Sequence, residues 1–234
     1  MITVEEVVTE LTSRRDEEAL AGMARYGINI DHAYGLSVPQ VRALGKRIMK
    51  ELGRRDPARH AFALELWETG IHEARLLAGL VDLPEMVDEE QMEAWALGLD
   101  SWDVCDQLCN NLFVYCPLSW EKALEWSGRQ EEFVKRAGFA LMASLAWHGK
   151  DAADERFFPL LAAIEREAGD ERNFVKKAIN WALRNIGKRS PALNAQAVET
   201  SRRLAASESK AGRWVGADAL RELEGEAVRR RLGL

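Results

Sequence analysis

A carboxylate set in an aromatic, apolar helical stripe is the feature of this sequence with the clearest capacity for chemistry. In Ser101-Trp102-Asp103-Val104-Cys105-Asp106 and the residues after it, four-residue spacing places Trp102, Asp106, Cys109 and Phe113 on one face, with Cys105, Leu108 and Leu112 beside them. Asp100 or Ser101 can cap such a helix and Asp103 suits its first turn, so Asp106 alone has no role at the helix end. An ionised carboxylate is seldom buried without a partner. Asp106 is therefore either hydrogen-bonded structurally or open to a cleft where it can stabilise positive charge.

A second group of residues could bind an anion. Between Asn173 and Ile186 the apolar stripe is Val175, Ile179, Ala182 and Ile186, while Lys177, Trp181, Arg184 and Lys188 form another line at spacings of four, three and four. Such a line can hold phosphates and present an indole face to a base, sugar or cation; it is equally a rim tryptophan packed under arginine stems. Gly187 and Lys188-Arg189 fit a helix C-terminus, which accounts for part of the charge. Arg136 shares a helical face with Ala140, Ala143 and Trp147, so its enclosed guanidinium needs a carboxylate, phosphate or other partner.

The elements that must position these residues read as helices throughout. Ser37 caps a helix over 38–52, with Val41, Leu44, Ile48 and Leu52 at apolar spacing. Asp56-Pro57 starts another, with Ala61, Leu64 and Trp67 expected inward. The helix opened at Trp102 is expected to run through Phe113 and to stop at Pro117, and Tyr26-Gly27 and Tyr34-Gly35 punctuate a loop. No period-two segment stands out. Phe133-Val134-Lys135-Arg136-Ala137 recurs as Phe174-Val175-Lys176-Lys177-Ala178 and, more weakly, as Trp214-Val215-Gly216-Ala217. The interval of roughly 40 residues is that of HEAT and armadillo units. The expectation is an all-α fold, an α-solenoid of antiparallel HEAT-like helix pairs with a concave basic groove, as a single domain over residues 1–234.

Composition narrows the partners. The 234 residues are 47% hydrophobic with a net charge of −6, so a surface coated in positive charge is excluded and any phosphate-binding region must be local. Glu5, Glu6 and Glu10 break any resemblance to a signal peptide, and no apolar run approaches membrane-spanning length, so a cytoplasmic protein without a membrane partner is expected. Cys105, Cys109 and Cys116 lack the further ligands of a tetrahedral metal site and read as buried free thiols.

Taken together these blocks resemble the HEAT-like-repeat alkylpurine DNA glycosylases, the AlkD-type DNA alkylation repair family. The resemblance runs from Tyr26-Gly27-Ile28 through Leu66-Trp67, Glu73-Ala74-Arg75, the Trp102 to Asp106 segment and Phe133 to Ala137, to the block from Asp170 through Ala178, Trp181 to Arg184 and Gly187 to Arg189. Gly27 to Leu36 departs from the better-known branch of the family, whose N-terminal helices help hold the DNA. The resemblance implies that Trp102 and Trp181 are the two rings at the lesion, Asp106 the carboxylate, and Arg136 the nearby arginine. Lys176, Lys177, Arg184, Lys188 and Arg189 would contact DNA. It implies a monomer acting on duplex DNA that contains N3- or N7-alkylated purines, in the cytoplasm with the nucleoid, and needing no metal or cofactor. The alternative is a HEAT-type module that binds DNA structures or a protein without excision.

Overall fold

The computed structural model describes residues 2–53 and 55–234, and among these it contains fourteen α-helices and no β-strand. Contacts divide the chain into two compact units, Met1–Pro117 and Leu118–Leu234.

In the first unit, Val4–Ser13 (α1) and Glu17–Arg25 (α2) precede the loop that carries Tyr26 and Tyr34. Val38–Leu52 (α3) begins with a capping box between Ser37 and Gln40, with Pro39 in its first turn, and buries Val41, Leu44, Ile48 and Leu52 as the spacing predicts. Ala58–Glu68 (α4) and His72–Val81 (α5) form a helical hairpin, Glu89–Leu97 (α6) is capped by Asp88, and Trp102–Asn111 (α7) follows. Helix α5 packs between α3 and α7. A Cβ on Gly79 of α5 would stand 3.0 Å from Leu108 Cδ1 of α7, so the absence of a side chain there sets how closely the two helices approach.

Two sequence expectations are corrected in this unit. The inward residues of α4 are Phe62, Ala63, Leu66 and Trp67, whereas Ala61 and Leu64 are exposed. Trp67 and the stack it makes on Trp95, 4.4 Å between ring centroids, set the rotation of α4. Helix α7 ends at Asn111, because Leu112 leaves helical geometry at φ −125°, ψ −67°, and a short 3₁₀ turn over Phe113–Tyr115 buries Phe113 by another route.

The second unit comprises Ser119–Ser127 (α8), Glu132–His148 (α9), Phe158–Glu167 (α10), Asn173–Gly187 (α11), Pro191–Ala205 (α12), Lys210–Leu223 (α13) and Glu226–Leu232 (α14). Helices α9, α11 and α13 lie side by side in one layer, and α8, α10 and α12 in the other, which is the two-layer arrangement of stacked helix pairs. The repeat seen in the sequence becomes a physical contact: Phe133 and Phe174 stack at 5.8 Å, and Lys176 lies 5.2 Å over the ring of Trp214. Helix α9 is buried from Val134 to Ala146. A Cβ on Gly138 would stand 2.5 Å from the backbone nitrogen of Ser127, so α8 and α9 cross in backbone contact. Gly187 has a packing role and is no left-handed cap: it lies within α11, and a Cβ there would meet Leu223 at 2.7 Å and Ala197 at 2.8 Å.

Candidate functional site

Trp102 and Asp106 stand one turn apart at the start of α7, both half-buried, while Val104, Cys105, Leu108 and Cys109 turn into the core. All three cysteines are buried and outside any disulfide, and burial pushes the Cys116 thiol up to about 12, with Asp82 adding to the effect. The Trp102 indole is held in place, since its Nε1 donates to the Tyr26 carbonyl at 3.1 Å. Asp103 does more than begin the helix. Its carboxylate accepts from Ser101 Oγ at 2.8 Å and meets His72 Nε2 at 2.9 Å.

Burial acts to lower the His72 pKa, yet Asp103 outweighs it and the imidazole ends above its ordinary value. For Asp103, burial acts upward and is outweighed by His72 and Ser101, so the carboxyl ends below its ordinary value. The pair ties the first turn of α5 to the first turn of α7.

Glu73 fixes the loop that faces these helices. Its fully buried carboxylate accepts the backbone N–H groups of Tyr34 at 3.0 Å, Gly35 at 2.7 Å and Leu36 at 3.1 Å. Gly35 has φ +86°, and a Cβ there would lie 2.6 Å from the Asp16 carbonyl oxygen. The same segment is pinned at Asn29, whose side chain donates to Asp100 at 3.0 Å, and by the His72 N–H, which donates to the His32 carbonyl at 2.9 Å. The segment from Gly27 to Leu36 is thus an ordered, carboxylate-centred loop, and Tyr26 immediately before it is the residue that meets Trp102. Sequence reasoning missed Glu73 and His72 as positioning groups. The available signal was a carboxylate beside Ala74, Leu76 and Leu77 at the start of an apolar helix.

In the second unit Arg136 is buried and its Nη1 donates to the Phe174 carbonyl, so a backbone oxygen is among the partners its enclosure requires. Its neighbour Lys135 is also buried, paired with Glu167 at 2.7 Å and Asp170 at 3.2 Å. Burial acts to raise the Asp170 pKa, but Arg172 and Lys135 bring it down to about 2. The block before α11 is therefore in part an ion-paired brace.

Along α11, Lys177 is exposed and makes no ion pair among the described residues, and Trp181 is half-buried. Arg184 and Lys188 both close on Glu222 of α13, at 2.5 and 2.6 Å. Burial acts to raise the Glu222 pKa, and the two cations outweigh it. Arg189 spends its guanidinium on the carbonyls of Ala146, Lys150 and Ala152, at 3.2, 2.9 and 2.8 Å. The line of cations is real, but Glu222 masks part of it and Arg189 has a bracing role.

The arrangement of stacked helix pairs is that of the HEAT-like repeat proteins. The chain matches, with a TM-score of 0.78, a solved structure described as a new family of proteins related to the HEAT-like repeat DNA glycosylases with affinity for branched DNA structures, at 17% identity over 100% of this chain and 97% of that one. A search of curated proteins finds no match. Residues 7–223 match the sequence profile of the DNA alkylation repair enzymes, and the chain belongs to that family.

Proposed function

We propose that this protein is a DNA glycosylase that hydrolyses the N-glycosidic bond of cationic N3- and N7-alkylated purines in duplex DNA. The observation that carries the reading is Asp106, half-buried one turn from a tryptophan whose ring is fixed by a hydrogen bond. A purine alkylated at N3 or N7 is already a good leaving group, so bond cleavage builds positive charge on the deoxyribose. Asp106 supplies the opposite charge and orients or deprotonates the attacking water. Trp102 and Trp181 offer electron-rich faces to the cationic base and sugar. Lys176, Lys177, Arg184 and Lys188 serve the phosphates, with Arg136 and Arg189 as braces or further contacts. In this reading the chain acts as a monomeric single repeat array in the cytoplasm, at the nucleoid, and its chemistry calls on no metal.

The test is release of 7-methylguanine from methylated duplex DNA under single-turnover conditions. Release that depends on Asp106 supports the proposal; tight DNA binding with no release refutes it. A double-mutant cycle between Trp102→Ala and Trp181→Ala shows whether the two rings serve one lesion, because effects on separate steps would add.

One observation favours a second reading, a module that binds DNA structures without excising bases. Glu222 holds both Arg184 and Lys188 beside Trp181 and offsets part of their charge, and the solved structure with the same fold is described by its affinity for branched DNA. Preference for a branched duplex over a linear one, with no base released, is the outcome that selects it.

A further inference from the structure

Away from Asp106, the second unit contains a cleft of about 570 Å³ where α9 and α11 end, lined by Trp147, Lys150, Asp154, Arg189, Ser190 and Arg231. Trp147 is the last but one residue of α9 and is 62% exposed, far more than any other tryptophan of the chain except Trp214 at 41%. An indole held in a cleft without a covering side chain leaves a large flat apolar face in water.

The charge around it is arranged for an anion. Helix C-termini carry partial negative charge that would repel phosphate. Arg189 counters this, since its guanidinium donates to the carbonyls of Ala146, Lys150 and Ala152 while stacking 4.6 Å over the Phe157 ring. Its Nε is buried without a hydrogen-bond partner, 3.9 Å from Asp154. The Asp154 carboxylate accepts from Ser190 Oγ at 2.5 Å, so the one acidic group of the lining is engaged. Lys150 and Arg231 make no ion pair among the described residues. The floor of the cleft is thus braced, and two cations beside the indole are left for a ligand.

We propose that this cleft binds an unpaired DNA strand, with one base stacked on Trp147 and the adjoining phosphates held by Lys150 and Arg231. Cations that follow a backbone together with an aromatic face for a base are the elements of single-strand recognition. A duplex does not fit this role, because each of its base faces is covered by the next base pair. The proposal rests on the chain being a DNA-binding protein and not on excision, so the two can fail separately.

The test measures binding of a labelled short oligothymidylate and of a blunt duplex to the full chain by fluorescence anisotropy. Trp147→Ala should weaken oligothymidylate binding about tenfold, within the range for one lost base stack. Duplex affinity and 7-methylguanine release should not change, and Trp147→Phe should restore most of the loss. Lys150→Ser and Arg231→Ser should each lower the salt dependence of oligothymidylate binding by about 0.7 of a unit. Because these side chains are on the rim, thermal stability should hold, and a melting curve checks it. The proposal is overturned if the wild-type chain does not bind oligothymidylate, if Trp147→Ala binds it equally well, or if the loss is the same on the duplex.

Discussion

Replacing Glu222 by Gln is the sharpest probe of the charge proposed to face DNA. Its carboxylate holds both Arg184 and Lys188 at 2.5–2.6 Å, and all three side chains are about one-quarter to one-third exposed. Partly exposed pairs of this kind contribute on the order of 1 kcal/mol or less each, so the variant should fold with a small loss of stability. Its effect on DNA should be larger and of opposite sign. If both released cations reach phosphates, the dependence of log affinity on log salt steepens by about 0.9 for each, or about 1.8 together. Over a fourfold rise in salt, the variant then loses about 12-fold more affinity than the wild type, and it binds more tightly at the low-salt end. The assay is anisotropy on an unmodified duplex at a series of salt concentrations, with Lys177→Gln as a reference expected to flatten the slope by about 0.9. An unchanged slope in Glu222→Gln, in a protein that melts normally, would show that this face of α11 does not meet DNA.

Asp106→Asn keeps shape and removes charge, and should slow single-turnover release of 7-methylguanine roughly a hundredfold, about 3 kcal/mol of barrier, with DNA affinity retained; equal rates for the two proteins refute the role given to Asp106. Glu73→Ala leaves the Tyr34, Gly35 and Leu36 N–H groups without their carboxylate, and at about 1 kcal/mol or more for each the loss should total at least ~3 kcal/mol in urea denaturation, with new protease cleavage in the loop. Gly138→Ala forces a methyl into the Ser127 backbone, and a drop of about 1–3 kcal/mol or more in stability should appear as a lowered Tm. The His72–Asp103 pair gives a pH signature. The folded His72 pKa is raised, so its contribution is fully present below the unfolded value near 6.5 and is lost as pH rises through the folded value. The stability gap between wild type and His72→Gln should therefore narrow as pH is raised from 6 through 8. Asp103, lowered in the folded state, gives up its own contribution only as pH falls below about 3.8. A gap that is constant from pH 6 to 8 excludes a charged His72 in the pair.

Local rules were enough to read much of the molecule from its residues. Helix spacing and caps determined α3, with Ser37, Pro39 and the Val41 to Leu52 stripe, and the repeat of Phe133 in Phe174 announced helix pairs that the structure joins by a ring stack. The placement of Trp102 and Asp106 on one face of α7 was equally legible, because it depends only on the helical period. Other features depended on residues far apart in the chain. Which face of α4 turned inward was decided by the Trp67–Trp95 stack, and the end of α7 by the burial of Phe113. That Glu222 would pair with two cations of α11 from 34 and 38 residues away, and that Arg136 would meet the carbonyl of Phe174, has no trace in local pattern. A charge in a sequence announces that a partner is needed, and only the packing of helices decides whether that partner is a neighbouring carboxylate, a backbone oxygen or a phosphate.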